Sequence, residues 1–473
     1  MFKSERQLAP LVFLVIAIGF AGVSCEKDPV YEDPSAKLVF STDTLHFDTI
    51  FTTIGSSTRH FKVYNPYDRS LEISSIRLSG DISSPFRINV DGIPGRKFSD
   101  VLIRGGDSIF IFVEATIDPV NGNHPVIVGD SVMFITNGNV QNVKLAAWGQ
   151  DVKIIRDEVF GDETLSAEKP YLIYGNILVD TSRVLTLDPG VRMYFYRNSG
   201  LHVAGSLIAE GTGDNPVVFE AARTEASYRN IPGQWDGIRL MPGSTGNRLV
   251  NVRIRNAVNG LVVEAVSAEE STTLYLAYSR IENMTHAGLT GRGAAIYAYN
   301  TVISNCGHHL AALTAGGDYT FYHCTLANFW NFSSRRTPSV VIENYYVDSD
   351  GGINVTPVRA VLGNSIIYGN NGSEIGFSVH SEGAFDVVFD HCLIAAHLSL
   401  TEDFEDNFVS CITGVNPGFV DPAKYNFRPD KESPAINAGN PDTGNLHPVD
   451  FDGRSRISDD APDIGAFEWY PED

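Results

Sequence analysis

The hexapeptide NVRIRN at Asn251 to Asn256 has counterparts further along the chain: YSRIEN from Tyr278, NTVISN from Asn300, HCTLAN from His323, SVVIEN from Ser339, NSIIYG from Asn364 and HCLIAA from His391. Their starts are separated by 27, 22, 23, 16, 25 and 27 residues, and five of the seven end in asparagine. The second and fourth residues of each phrase are small or apolar, as in Val252 and Ile254, Thr301 and Ile303, and Cys324 and Leu326. Period-two alternation puts those side chains on one face of a strand. A single short strand cannot bury such a face alone, whereas stacked turns make a continuous interior. Asparagine at the phrase ends tolerates left-handed backbone, and its amide is able to hydrogen-bond to the asparagine of the next turn. The uneven intervals argue against helical repeats of fixed length and fit a parallel β-helix with loops of variable size. At 16 residues, the interval before SVVIEN is short for a full turn.

Working outward, the stretch from Lys37 to about Gln150 alternates in period two at FKVYN (Phe61–Asn65), LEISSIRL (Leu71–Leu78), SIFIFVEATI (Ser108–Ile117) and SVMFIT (Ser131–Thr136). Turn signals at Asn65-Pro66, Gly105-Gly106 and Asn137-Gly138 separate these runs, which predicts a β-sandwich of about 110 residues. The whole chain of 473 residues is 43% hydrophobic and 19% charged, enough apolar material for large cores and unlike a disordered chain. Its formal charge of -22 repels phosphate polymers, so nucleic acid is not an expected partner.

At the N-terminus, Lys3 and Arg6 precede the apolar run LVFLVIAIGFAGV, which is too short for a comfortable membrane span and reads as a signal peptide. The run ends at Gly22-Val23-Ser24-Cys25, which resembles the lipobox of bacterial lipoproteins, with Gly22 where that family usually has leucine. The resemblance implies acylation of Cys25, and the acidic strip EKDPVYEDPSA that follows resembles the surface-export signal of Bacteroidota lipoproteins. A membrane partner through a lipid anchor, and an outer-membrane or cell-surface location, follow from it as expectations.

The phrase VYNPYDRSLEISSIRLSGD resembles the immunoglobulin-like sandwiches of Hydin type. The repeats, preceded by LTLDPGVRMYFYRNSGLHVAGSLIAEGTGDNPVVFEA and GQWDGIRL, resemble the right-handed parallel β-helix of pectate-lyase-like proteins. Four phrases in order, NPGFVD at Asn416, SPAINAG at Ser433, DFDG at Asp450 and DIGAFE at Asp463, resemble the end of choice-of-anchor Q proteins and of chondroitinase and alginate lyase β-helix enzymes. The expected fold class is therefore all-β: a signal peptide (1–25), a tether (26–36), an immunoglobulin-like β-sandwich (37–150), a right-handed parallel β-helix (151–414) and a C-terminal capping module (415–473).

Fold does not give function on such a scaffold. Hydrolysis of a glycoside needs carboxylates converging on one strand face, and the NTD, DD and GHG phrases of polygalacturonase-like enzymes are absent from the helix region. Gly307-His308-His309 is only an echo of the last. β-Elimination needs a base and a charge-stabilising cation, for which the resembling lyases use lysine and arginine; no lysine occurs between Lys169 and Lys424. No catalytic residue is assigned. Cys306, Cys324, Cys392 and Cys411 contain no CxxC pair, and stacked interior positions suit them better than zinc; an exported location permits disulfides without requiring them. Asp450, Asp452, Asp463 and Glu468 have the chemistry for calcium but equally that of turn and backbone-capping residues, so no metal and no cofactor is assigned. Aromatic residues beside arginine suit stacking on sugar rings, which makes Trp330, Arg335, Arg336, Tyr345 and Tyr346 the candidate ligand residues. The leading expectation is a lipid-anchored surface protein that contacts a glycan or another envelope component without turning it over. The alternative is a polysaccharide lyase or glycoside hydrolase acting on extracellular glycan.

Overall fold

The computed structural model describes residues 29–52, 54–119, 126–264 and 272–471; the signal segment and Cys25 lie outside them. The chain falls into two compact units, Met1–Gln150 and Asp151–Asp473.

The first unit is an immunoglobulin-like sandwich. One sheet runs in the order Val39–Phe40, Arg59–Tyr64, Ser108–Ala115, Phe86–Val90 and Ile93–Gly95. The other is built on Thr44–Phe51, Asn139–Gln150, Val126–Thr136 and Leu71–Leu78. Alternation decides what each strand buries: Ile109, Ile111, Val113 and Ala115 face the core, and Phe110 and Phe112 face outward. The Asn137-Gly138 turn joins Val126–Thr136 to Asn139–Gln150 with both residues at positive φ (46° and 82°), the geometry that a two-residue hairpin favours. Asn65, buried ahead of Pro66, donates from Nδ2 to the carbonyls of Arg69 (2.7 Å) and Ile103 (2.9 Å) and so pins the strand end.

The second unit is a parallel β-helix of three sheets that the chain visits in rotation, each strand pairing with the one a full turn later. Sheet 1 contains Val252–Arg255, Arg280–Met284, Val302–Cys306, Thr325–Asn328, Ile366–Gly369 and Leu393–Ile394. These strands carry six of the seven phrases. Their fourth residues, Ile254, Ile281, Ile303, Leu326, Ile367 and Ile394, are register partners from turn to turn and fully buried, an aliphatic stack along the interior. The second residues make a parallel stack of small groups, among them Thr301, Cys324 and Cys392, so these cysteines are interior packing residues.

The seventh phrase is a correction. SVVIEN belongs to sheet 2, where Val340–Glu343 pairs with His309–Thr314 and Ile375–Ser378. Inward and outward residues alternate in all three sheets, so a strand of sheet 2 imitates the phrase. The true interval in sheet 1 runs from His323 to Asn364, and it accommodates a loop around 329–338 and a hairpin of Tyr345–Val347 with Ile353–Val355. Left-handed backbone occurs at both ends of the phrases: at Asn256, Asn283 and Asn305 (φ 61°, 69° and 55°), and also at the leading residues, including Asn300, His323 and Asn364. Asn283 Nδ2 donates a hydrogen bond to Asn256 Oδ1 at 2.6 Å. Asn328 lacks that conformation, and Asn344 lies beyond a sheet 2 strand, where it donates to His380 and Gly383 carbonyls.

In GQWDGIRL, Trp235 is buried and stacks on Phe195 (4.2 Å) while donating to the Arg255 carbonyl (2.8 Å). Gly237 (φ 119°) lies against the next turn, where a Cβ would sit 1.9 Å from the Asn259 carbonyl oxygen. No side chain fits there.

The C-terminal module covers the outer face of sheet 1 over its later strands. Phe427, Ala466 and Phe467 pack on Val302 and Ala327, and Ala435 and Ile464 on Ile366 and Leu393. Its carboxylates hold the module's own backbone. Asp450 accepts from the amides of Asp452, Arg454 and Glu468, Asp463 from those of Asn437 and Trp469, and Glu468 from that of Asp463 while pairing with buried Arg456. Asp452 is paired with Arg428.

Candidate functional site

Beyond the apolar contacts of the C-terminal module, the outward residues of sheet 1 are polar and aromatic, with Tyr194 and Glu220 half-buried and Arg255 and Glu282 buried. One row reads Tyr194, Glu220, Arg255, Glu282: Tyr194 is the register partner of Glu220, and Arg255 that of Glu282, on consecutive strands. The neighbouring row carries Arg253 and Arg280, also register partners. These are the third and fifth positions of the repeat phrases and the strand before them. The alternation that buries positions two and four turns these outward.

Loops bound this face on both sides because the chain enters sheet 1 through Thr212–Pro216 and leaves it through residues 222–234. The asparagine stack fixes the second wall: Asn256 Nδ2 donates to the Arg229 carbonyl (2.8 Å), and Asn283 Nδ2 to the Asn230 carbonyl (2.8 Å). Arg255 donates to Asn230 Oδ1 (3.0 Å). Towards the C-terminal module the trough deepens into a cavity of about 380 Å³ lined by Asp214, Arg253, Tyr278, Arg280, Phe451 and Asp452. At the opposite end the Tyr174 and Tyr196 rings lie 4.8 Å apart, tilted by 33°, with Arg156 over the Tyr174 ring at 4.3 Å. Tyr196 is 46% exposed, so part of this aromatic step faces solvent.

The electrostatics separate the two glutamates. Glu282 is buried, with Arg253 and Arg255 at 3.1 Å and Arg280 at 3.7 Å. Three guanidiniums around one carboxylate saturate its oxygens. Glu220 is half-buried, and burial pushes its pKa up; Arg255, Arg253 and Arg229 oppose the shift, and Glu282 adds to it. Burial likewise holds the Tyr194 phenol up to about 12, so it is a hydrogen-bonding hydroxyl and not a phenolate. The face therefore offers a half-buried carboxyl of raised proton affinity, a phenol, the partly exposed guanidinium of Arg253 and an aromatic step.

The candidates read from the sequence lie elsewhere and are not one cluster. Trp330 and Arg335 precede the strand Val340–Glu343, and Tyr345 and Tyr346 follow it, so they sit at opposite ends of that strand. Trp330 is 7% exposed; its indole nitrogen donates to Ser333 Oγ (2.9 Å), and its ring lies against Gly307. Arg335 is buried in a clasp with Glu374, bonding both carboxylate oxygens and the Thr337 carbonyl (2.6 Å). Glu374 also accepts from Ser339 and Asn371, which pins the 329–338 loop to the solenoid. These two side chains are packing groups. Arg336 is exposed, Tyr345 is half-buried with its hydroxyl 3.4 Å from Ser378 Oγ, and Tyr346 is 38% exposed on the hairpin. Composition around residue 330 was aromatic and basic, but long side chains next to an extended loop are what hold that loop down.

No protein-family model matches the chain. Among curated proteins, Protein bark beetle of Drosophila melanogaster is 36% identical over 91 residues, which is 19% of this chain and 3% of that protein. The chain thus spans a very small part of that relative's length. Solved structures give similarities at low TM-score. The PapD-like domain 7 of human CEP192 aligns over 27% of this chain and 96% of its own (13% identity, TM-score 0.19). A family 123 glycoside hydrolase from Clostridium perfringens aligns over 27% and 31% (8% identity, TM-score 0.19). The catalytic unit of a GH87 α-1,3-glucanase from Streptomyces thermodiastaticus aligns over 71% and 62% (11% identity, TM-score 0.15).

Proposed function

We propose that the solenoid holds a glycan along the outer face of sheet 1 without cleaving it, and that a lipid on Cys25 keeps the protein at the outer membrane or cell surface. The observation that carries the binding reading is the walled row Tyr194, Glu220, Arg255, Glu282, which leads from the exposed Tyr196 step to the polar cavity at Asp452. An aromatic step followed by fixed polar groups matches the alternating apolar faces and hydroxyls of a sugar chain. Arg253, Arg255 and Arg280 are all ion-paired to the single carboxylate of Glu282, and Arg428 to Asp452, so these guanidiniums outnumber their carboxylates but are each engaged within the protein. The chain charge of -22 favours neutral glycans over polyuronates. The test is titration of neutral oligosaccharides into the wild type and the Tyr196→Ala and Glu220→Gln variants. Weakened binding in both supports the reading, and unchanged binding removes it.

Hydrolysis is the second reading, favoured by the raised pKa of Glu220. Glu220 and Glu282 are two strands apart on one row, roughly 9.6 Å at about 4.8 Å per strand, near the carboxyl separation of inverting glycosidases. Against it, Glu282 is only 1% exposed and is already saturated by arginines, which leaves no approach for an attacking water. Release of reducing ends that stops in the Glu220→Gln variant would replace binding by hydrolysis. Lyase chemistry has less support, since no lysine lies between Lys169 and Lys424 and guanidinium is a poor base near neutral pH.

A further inference from the structure

The Gly307-His308-His309 phrase brings its first histidine beside a second one a turn earlier. His286 follows the strand Arg280–Met284 and His308 follows Val302–Cys306, both at the corner where the chain leaves sheet 1. The His308 amide donates to the His286 carbonyl at 2.9 Å, so the two residues are in register on adjacent turns. Their rings lie with centroids 4.8 Å apart at 39°, and both residues are exposed. His286 Nδ1 is 3.0 Å from Asn259 Oδ1 on the preceding turn. With the amide oxygen accepting, the ring proton is on Nδ1 and the lone pair is on Nε2. This is how a metal-binding imidazole is commonly oriented, its other nitrogen donating to an oxygen behind it.

We propose that His286 and His308 form a two-imidazole site for a borderline divalent transition metal, such as Zn(II) or Cu(II), with the remaining coordination positions open to water or to an external ligand. Imidazole nitrogen selects these ions over calcium and magnesium, which take oxygen ligands. Tetrahedral coordination at about 2.0 to 2.1 Å needs the two nitrogens roughly 3.3 Å apart, a separation open to exposed rings tilted by 39° with centroids 4.8 Å apart. Both groups must be neutral to bind. His309, whose Nδ1 is 2.7 Å from the Pro338 carbonyl, is half-buried at 6.3 Å from the His308 ring and is not required.

Calorimetric titration of the untagged full chain with ZnCl2 and CuCl2 tests this, with CaCl2 as the control ion. The expected result is one equivalent bound, Cu(II) tighter than Zn(II), and affinity falling as pH drops below the histidine range. His286→Ala and His308→Ala should each weaken binding about tenfold or more, while His60→Ala in the first unit leaves it unchanged. His308→Gln should behave like His308→Ala and, because the ring is exposed, keep the wild-type melting temperature. No saturable binding below the millimolar range, or binding that survives either single substitution, would overturn the site.

Discussion

Arg456, buried in the C-terminal module, donates from Nη2 to Asn300 Oδ1 at 2.9 Å, and Asn300 occupies a left-handed corner of the solenoid. The same guanidinium pairs with Glu468 and donates to the Gly465 carbonyl (3.2 Å), so one side chain joins the module's internal network to a solenoid turn. Removing it strands a buried carboxyl. Arg456→Leu is expected to cost about 3 to 5 kcal/mol and Asn300→Ala about 1 to 3 kcal/mol, read as a fall in denaturant midpoint. Near-wild-type midpoints for both would mean that the module is seated by its apolar contacts alone.

His447 has its Nε2 2.9 Å from the Tyr297 hydroxyl and its ring stacked on Tyr299 at 4.1 Å. Burial, with the Arg456 charge adding to it, pushes its pKa down to about 4 from the ordinary value of about 6.5. The folded state thus favours neutral imidazole: its contribution is complete above pH 6.5 and is lost as pH falls towards 4. After discounting for partial exposure this is about 1 to 2 kcal/mol. Glu468, pushed up to about 8, and Asp463, pushed up to about 6, act in the opposite sense, because burial favours their protonated forms. The difference between wild type and His447→Gln isolates the histidine. It should shrink as pH falls from 6.5 to 4, and parallel stability curves would refute the assignment.

The Arg335–Glu374 clasp predicts that Arg335→Ala destabilises the solenoid by about 3 to 5 kcal/mol while leaving glycan affinity unaltered. Trp330→Ala, which empties a buried site, should cost about 3 to 5 kcal/mol with the same indifference to ligand. Unchanged stability with weakened binding would return both residues to a ligand surface.

Lipidation at Cys25 predicts palmitate incorporation in the wild type and none in Cys25→Ala, which should also keep its signal segment. Equal labelling of the two proteins would exclude the anchor.

The parts of the fold legible in the sequence are those where one residue type answers to one local need. Asn137-Gly138 marks a hairpin because both positions require positive φ, and Ile254, Ile281 and Ile303 mark an interior stack because alternation leaves them no other face. SVVIEN was misplaced because Val340 and Ile342 satisfy the same alternation in a different sheet. The candidate site was the harder problem. Whether an aromatic or arginine side chain points to solvent depends on what a loop brings over it, as Glu374, 39 residues downstream, does for Arg335. Arg253, Arg255, Arg280 and Glu282 were visible at outward phrase positions, but Glu220 and Tyr194 join them only through register across strands that lack the phrase.

Hydroxyl-radical footprinting with and without a neutral oligosaccharide that the protein binds is the most direct test of the proposed trough. Bound glycan is predicted to protect Tyr196 and the segment around Glu220 while leaving oxidation of Phe332 and Tyr346 unchanged. Protection of Phe332 or Tyr346 with Tyr196 unaffected would contradict the assignment of the ligand to the outer face of sheet 1.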